Sequence, residues 1–254
     1  MANKAKVTIV FPTLNSENDL PKLLESLAPL KNKVEVIAVD AGSTDKTLEL
    51  LKQYKFPRII SVSSFSSKGK ARNEGIKKAT GDIIVNTDSD VEILLGWYEA
   101  LMESMSHADV VMGYSPDPEG RHLPRVPIFV DGQDITYPAC NMAHRKAVFD
   151  KVGLFDETQN LPEDCELNYR CVKAGYTIQY NPKMKLYHYQ RRSPIGFARQ
   201  AFWNGEARYE LNTLHPELKH SHEHGVGWKN LLRLGFGFLG YTLGRFYRKK
   251  GEKI

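Results

Sequence analysis

Cysteine is scarce: among 254 residues only Cys140, Cys165 and Cys171 occur, an odd number with no metal-type pairing. That excludes a disulfide framework and a cysteine zinc cage, and it fits a reducing compartment. Long apolar runs are missing too. Met1 to Lys6 leads straight into Val7-Thr8-Ile9-Val10-Phe11 and Pro12, too short for the apolar region of a signal peptide, so no export is expected. The uncharged stretch from Leu234 to Gly244 has 11 residues. At about 1.5 Å per residue, a helix of that stretch falls well short of the roughly 30 Å hydrocarbon core and cannot span it alone. No Gly-rich, basic loop follows the first apolar run, which argues against nucleotidyl transfer from a triphosphate. Most of the chain also lacks net charge. The total is +5, yet residues 219–254 carry eight Lys or Arg against two acids, a local +6, which leaves −1 for the first 218 residues. A body without basic excess is not expected to bind nucleic acid, whereas the tail suits an anionic surface.

What remains is an ordinary globular composition, 41% hydrophobic and 26% charged, in a length that suits one large α/β domain, so disorder is not indicated. Its most informative stretch is Asn86-Thr87-Asp88-Ser89-Asp90, directly after Ile83-Ile84-Val85. A strand ending in two such carboxylates delivers them to the mouth of a sheet, where they can hold a divalent cation against a nucleotide's phosphates. Magnesium and manganese take oxygen ligands and keep positions open for substrate phosphate. Alone, the same pair also reads as a solvated turn.

The elements alternate. Val7 to Phe11 reads as a strand, and Asn15 to Leu30 as a helix carrying Leu20, Leu23, Leu24 and Leu27 at helical spacing, with Pro21 in its first turn. Val34 to Val39 is a second strand ending at Asp40, after which Ser43 or Thr44 offers a cap for a helix through Tyr54. Arg58 to Val62 is a third strand, Lys70 to Ala79 a helix, and Ile83 to Val85 a fourth strand. This alternation predicts a mainly parallel sheet with ligands at the carboxyl ends of its strands. The loops Pro12 to Asn15, Asp40 to Asp45 and Asp88 to Asp90 should therefore gather at one edge. Asp40 suits a base or ribose contact, or an Asx-turn; Arg72 suits a diphosphate, or a solvated helix face.

In order and spacing, several segments together resemble the family-2 glycosyltransferases, inverting enzymes of the GT-A fold that use nucleotide-sugar donors. They are Ile9 to Glu17, Val36 to Asp45, Gly69 to Gly75, the Asp88-Ser89-Asp90 pair, Asn141 to Arg145 with Gly153 to Glu157, and Glu163 to Leu167 with Arg170 and Gly175. The match covers about the first 190 residues. It implies a Rossmann-like, mainly parallel sheet flanked by helices, with a nucleotide-binding half over about 1–90 and an acceptor and base half over 91–190. Residues 191–254 then form a helical, basic-amphipathic tail.

The resemblance also implies roles. Pro12, Thr13, Asn15, Glu17, Asp40, Arg72, Asn73 and Asp88 would line the donor site, with Asp40 at the base and Arg72 at the diphosphate. Asp88 and Asp90 would serve ribose and metal, manganese or magnesium, and His188 sits where many relatives place a metal-reaching histidine. Leu14 stands where many relatives carry an aromatic residue. Asp164 matches the catalytic base, and Glu163, Glu166 and Arg170 would contact the acceptor or support the base. In single displacement at an anomeric carbon, a carboxylate must take the acceptor hydroxyl's proton. The alternative is a sugar-nucleotide-binding partner or regulatory subunit without transfer activity; the presence of Asp164 beside the Asp88/Asp90 pair favours the enzyme.

Processive synthases of this family carry a Gln-x-x-Arg-Trp motif, absent from Gln200-Ala201-Phe202-Trp203-Asn204, so limited addition is expected. The acceptor is expected to be a lipid-linked or cell-surface glycan, recognised around Tyr114 to Tyr137 and Tyr187 to Trp203. For the tail, basic residues flanking a short apolar segment, with Trp228, Tyr241 and Tyr247, suit in-plane membrane contact; packing through Gly240-x-x-x-Gly244 is the other reading. A cytoplasmic protein, peripheral on the inner face of the cell membrane, is the resulting expectation. His215, His220, His222 and His224 lack regular ligand spacing and read as a solvated loop.

Overall fold

The computed structural model describes residues 6–62, 67–119, 127–158, 162–189, 194–220, 239, 241 and 242, the side chains of 194–201, 219 and 220 excepted. Four parallel strands open the chain: β1 (Val7–Thr13), β2 (Val34–Asp40), β3 (Pro57–Ser61) and β4 (Ile83–Thr87). The helices between them are α1 (Leu20–Leu27), α2 (Thr47–Tyr54) and α3 (Lys68–Lys78). Then follow β5 (Val91–Ile93), α4 (Trp97–Ser104), β6 (Val110–Tyr114), a small hairpin of β7 (Phe129–Val130) and β8 (Gln133–Asp134), and β9 (Asn141–Arg145). The remainder is α5 (Lys146–Val152), α6 (Glu163–Lys173), β10 (Ile178–His188) and α7 (Pro194–Leu214). Eight strands form one sheet in the order β3-β2-β1-β4-β9-β6-β10-β5, with β9 and the edge strand β5 antiparallel to their neighbours. The expected mainly parallel, helix-flanked sheet is what the chain builds.

The near-continuous apolar strands are explained by burial on both faces. One face packs Phe11, Val36, Val85, Met184 and Leu186 against α1 and α4. The other packs Val10, Ile37, Ile84, Val110, Met112 and Met142 against α3, α5 and α6. Gly75 lets α3 lie close on β1, since a Cβ there would stand 2.2 Å from a Val10 methyl. On that second side Leu211 of α7 and Leu218 pack with Ile128, Val130, Ile135 and Val172, so the chain beyond residue 190 contributes to a core of its own.

Two helix starts differ from expectation. Asn15 adopts φ 49°, a left-handed conformation, and the turn from Ser16 to Asp19 delays α1 to Leu20. Ser43 and Thr44 do not cap α2: the Ser43 hydroxyl donates to Asp40 Oδ1, and Asp45 Oδ1 instead accepts the Thr47 amide. Polar side chains here close the loop on itself before the helix can begin. Among the described residues no helix is long and apolar enough to cross a membrane.

Candidate active site

Parallel pairing puts the ends of β1, β2 and β4 side by side, and short hydrogen bonds then stitch their loops together. The Asn15 amide donates to the Ser43 hydroxyl, Asn15 Oδ1 accepts the Thr44 amide, and Glu17 accepts the Lys46 amide. Ser16 reaches both the Thr47 hydroxyl and, at 3.0 Å, Ser89 between the paired acids. Asp40 is fully buried and accepts from the Gly42 and Ser43 amides as well as the Ser43 hydroxyl. Asn15, Glu17 and Asp40, all expected at the donor, thus brace the loops that would shape its site. Pro12 and Thr13 end β1 beside them, and the buried Thr13 hydroxyl has no hydrogen-bond partner.

The strongest convergence is Asp88, Asp90 and His188, which offer ligand atoms all within 4.8 Å of one another. His188 arrives on the last residue of β10, held because β10 pairs with β5, so that His188 stands opposite Val91. Its Nε2 lies 3.3 Å from Asp90 Oδ1 and 4.0 Å from Asp88 Oδ2. Burial pulls the imidazole's pKa down, but Cys140 and the Asp90 carboxylate outweigh it and raise it. A field that favours imidazolium also favours a bound cation.

Arg72 of α3 is 2% exposed and donates to the Thr87 carbonyl at 3.0 Å and to Asp88 Oδ1 at 2.7 Å. Its terminal nitrogens are spent on protein, which orients Asp88 and leaves Oδ2 facing His188. The placement expected at a diphosphate is therefore buried beneath the acid pair. Burial would raise the Asp88 carboxyl, but Arg72 and then Lys68 hold it well below the usual carboxylate range. Lys68, at the start of α3, is drawn upward by Asp88. Asn73 turns away from this edge: its amide donates to the Phe155 carbonyl and to Glu157, and its Oδ1 accepts the Phe155 amide.

The second group comes from the start of α6. Asp164 accepts the Ala139 amide through Oδ2 and the Cys165 amide through Oδ1, which ties it to the turn that runs into β9. Glu163 Oε1 lies 3.6 Å from Arg72 Nε, and burial followed by Asp164 raises its carboxyl against the pull of Arg72. Glu163 thus links α6 to the metal-type cluster through one buried guanidinium. Glu166 and Arg170 face the other way. Arg170 pairs with buried Glu166 and donates to the carbonyls of Val152, Gly153 and Leu154, so the two clamp the α5 to α6 connection.

Sequence reasoning passed over Lys68, Cys140 and Asn141's bonding. Asn141 accepts from Trp97 Nε1 and donates to the carbonyls of Tyr114 and Met184, which fixes the start of β9 next to Asp164's partner Ala139. A buried Asn at a strand start has no spacing signature. His215 is half-buried rather than solvated: its ring lies 3.9 Å from that of Tyr169, with Glu166 and Glu217 nearby. Its neighbours His222 and His224 lie outside the described residues, as do most of Leu234 to Gly244 and Trp228 and Tyr247.

The family model for glycosyl transferase family 2 matches residues 8–151. The pre-mycofactocin glycosyltransferase of Mycobacterium tuberculosis is 27% identical over 242 residues, covering 83% of this chain and 48% of that protein. Poly(ribitol-phosphate) beta-N-acetylglucosaminyltransferase TarS of Staphylococcus aureus is 33% identical over 132 residues, 47% of this chain and 22% of TarS. The chain therefore spans about half or less of these relatives. The crystal structure of TarS residues 1–349 with UDP-GlcNAc superposes with TM-score 0.70 at 22% identity, over 91% of this chain and 71% of that one. A mannosyltransferase from Pyrobaculum calidifontis in complex with GDP-Man and Mn2+ gives TM-score 0.61 at 16% identity, over 100% and 77%. At these identities the two structures establish the fold.

Proposed function

The chain belongs to glycosyl transferase family 2, and on that premise we propose that it moves a sugar from a nucleotide-sugar donor to an acceptor hydroxyl with inversion. The observation that carries the reading is the meeting of Asp88, Asp90 and His188 at the carboxyl edge of the parallel strands. Two carboxylates and one imidazole fit a divalent ion, with manganese better served than magnesium by the nitrogen ligand. Bound there, the ion would neutralise charge on the departing nucleoside diphosphate. The likeness to a mannosyltransferase whose structure holds Mn2+ supports that assignment.

The chain's own residues supply the rest. Pro12, Thr13 and the loop closed by Asp40 offer the floor for base and ribose, with the Thr13 hydroxyl free to bond a ligand. Arg72 acts as a positioning residue that aims Asp88. Asp164 takes the proton of the acceptor hydroxyl as its oxygen attacks the anomeric carbon, on the face opposite the breaking bond to diphosphate. Inversion follows from that single displacement. A lipid-linked or cell-surface glycan is the acceptor class proposed, in keeping with the polymer named for TarS. The domain reading is a GT-A unit over residues 1–190 with 191–254 as a helical, membrane-contacting extension at the inner face of the cell membrane.

Release of nucleoside diphosphate from a panel of UDP- and GDP-sugars, with and without manganese, tests the reading. Asp90→Ala should abolish manganese stimulation. Asp164→Asn should lower turnover on the order of 100- to 10,000-fold while donor affinity changes little. Full turnover by Asp164→Asn alongside a dead, folded Glu163→Gln would move the base to Glu163.

A further inference from the structure

Beside the metal-type cluster runs a strip of side chains that the reaction does not use. In β6, Val110 and Met112 face the layer that holds α6, and the two-residue period puts Tyr114 on that same side. In β10, Met184 and Leu186 face the opposite layer, so Lys185 and Tyr187 also point toward the α6 side. The register agrees, because Lys185 stands opposite Tyr114. The Lys185 ammonium lies 5.9 Å from the Tyr114 ring centre and 5.3 Å from that of Tyr187, and Tyr114 is 37% exposed. Two rings therefore flank one cation at the surface, on the side of β10 opposite that of His188, at the same end of the strand.

The strip is also close to Asp164. Ala139 donates to Asp164, and two residues later Asn141 donates to the Tyr114 carbonyl. The turn at Ala139 and Cys140 thus connects Asp164's partner to the residue that holds Tyr114.

Resting on the transferase reading above, we propose that Tyr114, Lys185 and Tyr187 form an outer acceptor subsite that takes the saccharide unit next to the one glycosylated, and that it selects units bearing an anionic group. Tyrosine rings offer rigid, amphipathic faces on which sugar C–H groups stack, at little conformational cost. Lys185, already fixed between the two rings, supplies a point charge for a carboxylate or phosphate. On this side of the edge strand Glu92 stands opposite Tyr187, and its carboxylate is engaged by the Tyr189 hydroxyl.

The test uses the full chain with manganese, titrated with an α-1,4-linked galacturonate tetramer and with its fully methyl-esterified, uncharged form. The charged tetramer should bind about fivefold tighter, the scale of an exposed ion pair near 1 kcal/mol. Lys185→Gln should erase that ratio, Tyr187→Ala should weaken both ligands, and Lys249→Gln/Lys250→Gln in the tail should leave the ratio unchanged. A ratio that survives Lys185→Gln, or is lost in the tail variant, overturns the subsite. So does the failure of both tetramers to bind a protein that still releases nucleoside diphosphate from a donor. Absence of donor turnover in the unmodified chain would instead sink the transferase reading itself.

Discussion

His144 is fully buried in β9, with the Phe149 ring 5.0 Å away, and neither ring nitrogen finds a hydrogen-bond partner. Burial alone lowers its pKa from 6.5 to about 3. The unfolded chain binds this proton near 6.5, whereas the folded chain resists it until about 3. The unfolded state therefore holds more protons through that window, and stability falls as the pH drops below 6.5. From pH 7 to pH 5 the loss from this one group is about 2 kcal/mol. His144→Leu should remove it, and by deleting two unsatisfied nitrogens it should cost little at pH 7. Urea unfolding of both proteins at the two pH values checks this; equal losses would mean that the buried ring is not the source.

At the scale of elements, the position of Asp164, the proposed base, depends on how α6 is held. Arg170 donates to three consecutive carbonyls of the α5 to α6 connection while paired with Glu166, and Gly153 in that connection has φ 83°. Arg170→Met would leave a 4% exposed carboxylate without its partner. The expected loss is on the order of 3 kcal/mol, since stranding one member of a buried pair costs more than removing both. The double variant Glu166→Leu/Arg170→Met should then recover part of it. Denaturant titration of the two proteins separates these outcomes, and a loss under about 1 kcal/mol in the single variant would show the clamp to be dispensable. Strand and helix existence was legible in the sequence because apolar periodicity and burial share one cause, as in Leu20, Leu23, Leu24 and Leu27, all fully buried. Helix starts were less so. At Asn15 the deciding contact, its amide on the Ser43 hydroxyl, joins loops 28 residues apart, which no local pattern carries; at Ser43 a bond to Asp40 three residues back competes with the cap.

For the whole molecule, the site's skeleton could be read from sequence. Asp88 and Asp90 follow β4 at the carboxyl edge of the parallel strands, and His188 ends β10. What could not be read was the direction of each neighbouring side chain. Arg72 turns inward to Asp88, and Glu166 with Arg170 turns to a loop, because their partners are distant in sequence. The tail poses the same question at larger scale. Its local +6 favours an anionic surface, yet Tyr241 packs edge-on against Tyr209 of α7 with ring centres 5.2 Å apart, so this part of the tail is anchored to protein. Truncation before Trp228 keeps Leu211 and Leu218, which belong to the core, and should leave a folded, donor-binding domain. Each basic residue near an anionic membrane contributes about 1 kcal/mol. Losing a net +6 should therefore weaken binding to phosphatidylserine vesicles by orders of magnitude at low salt, and much less at high salt, where the attraction is screened. Flotation of the full and truncated chains with such vesicles measures this directly. Equal flotation would remove the tail as the membrane contact and leave packing on α7 as its role.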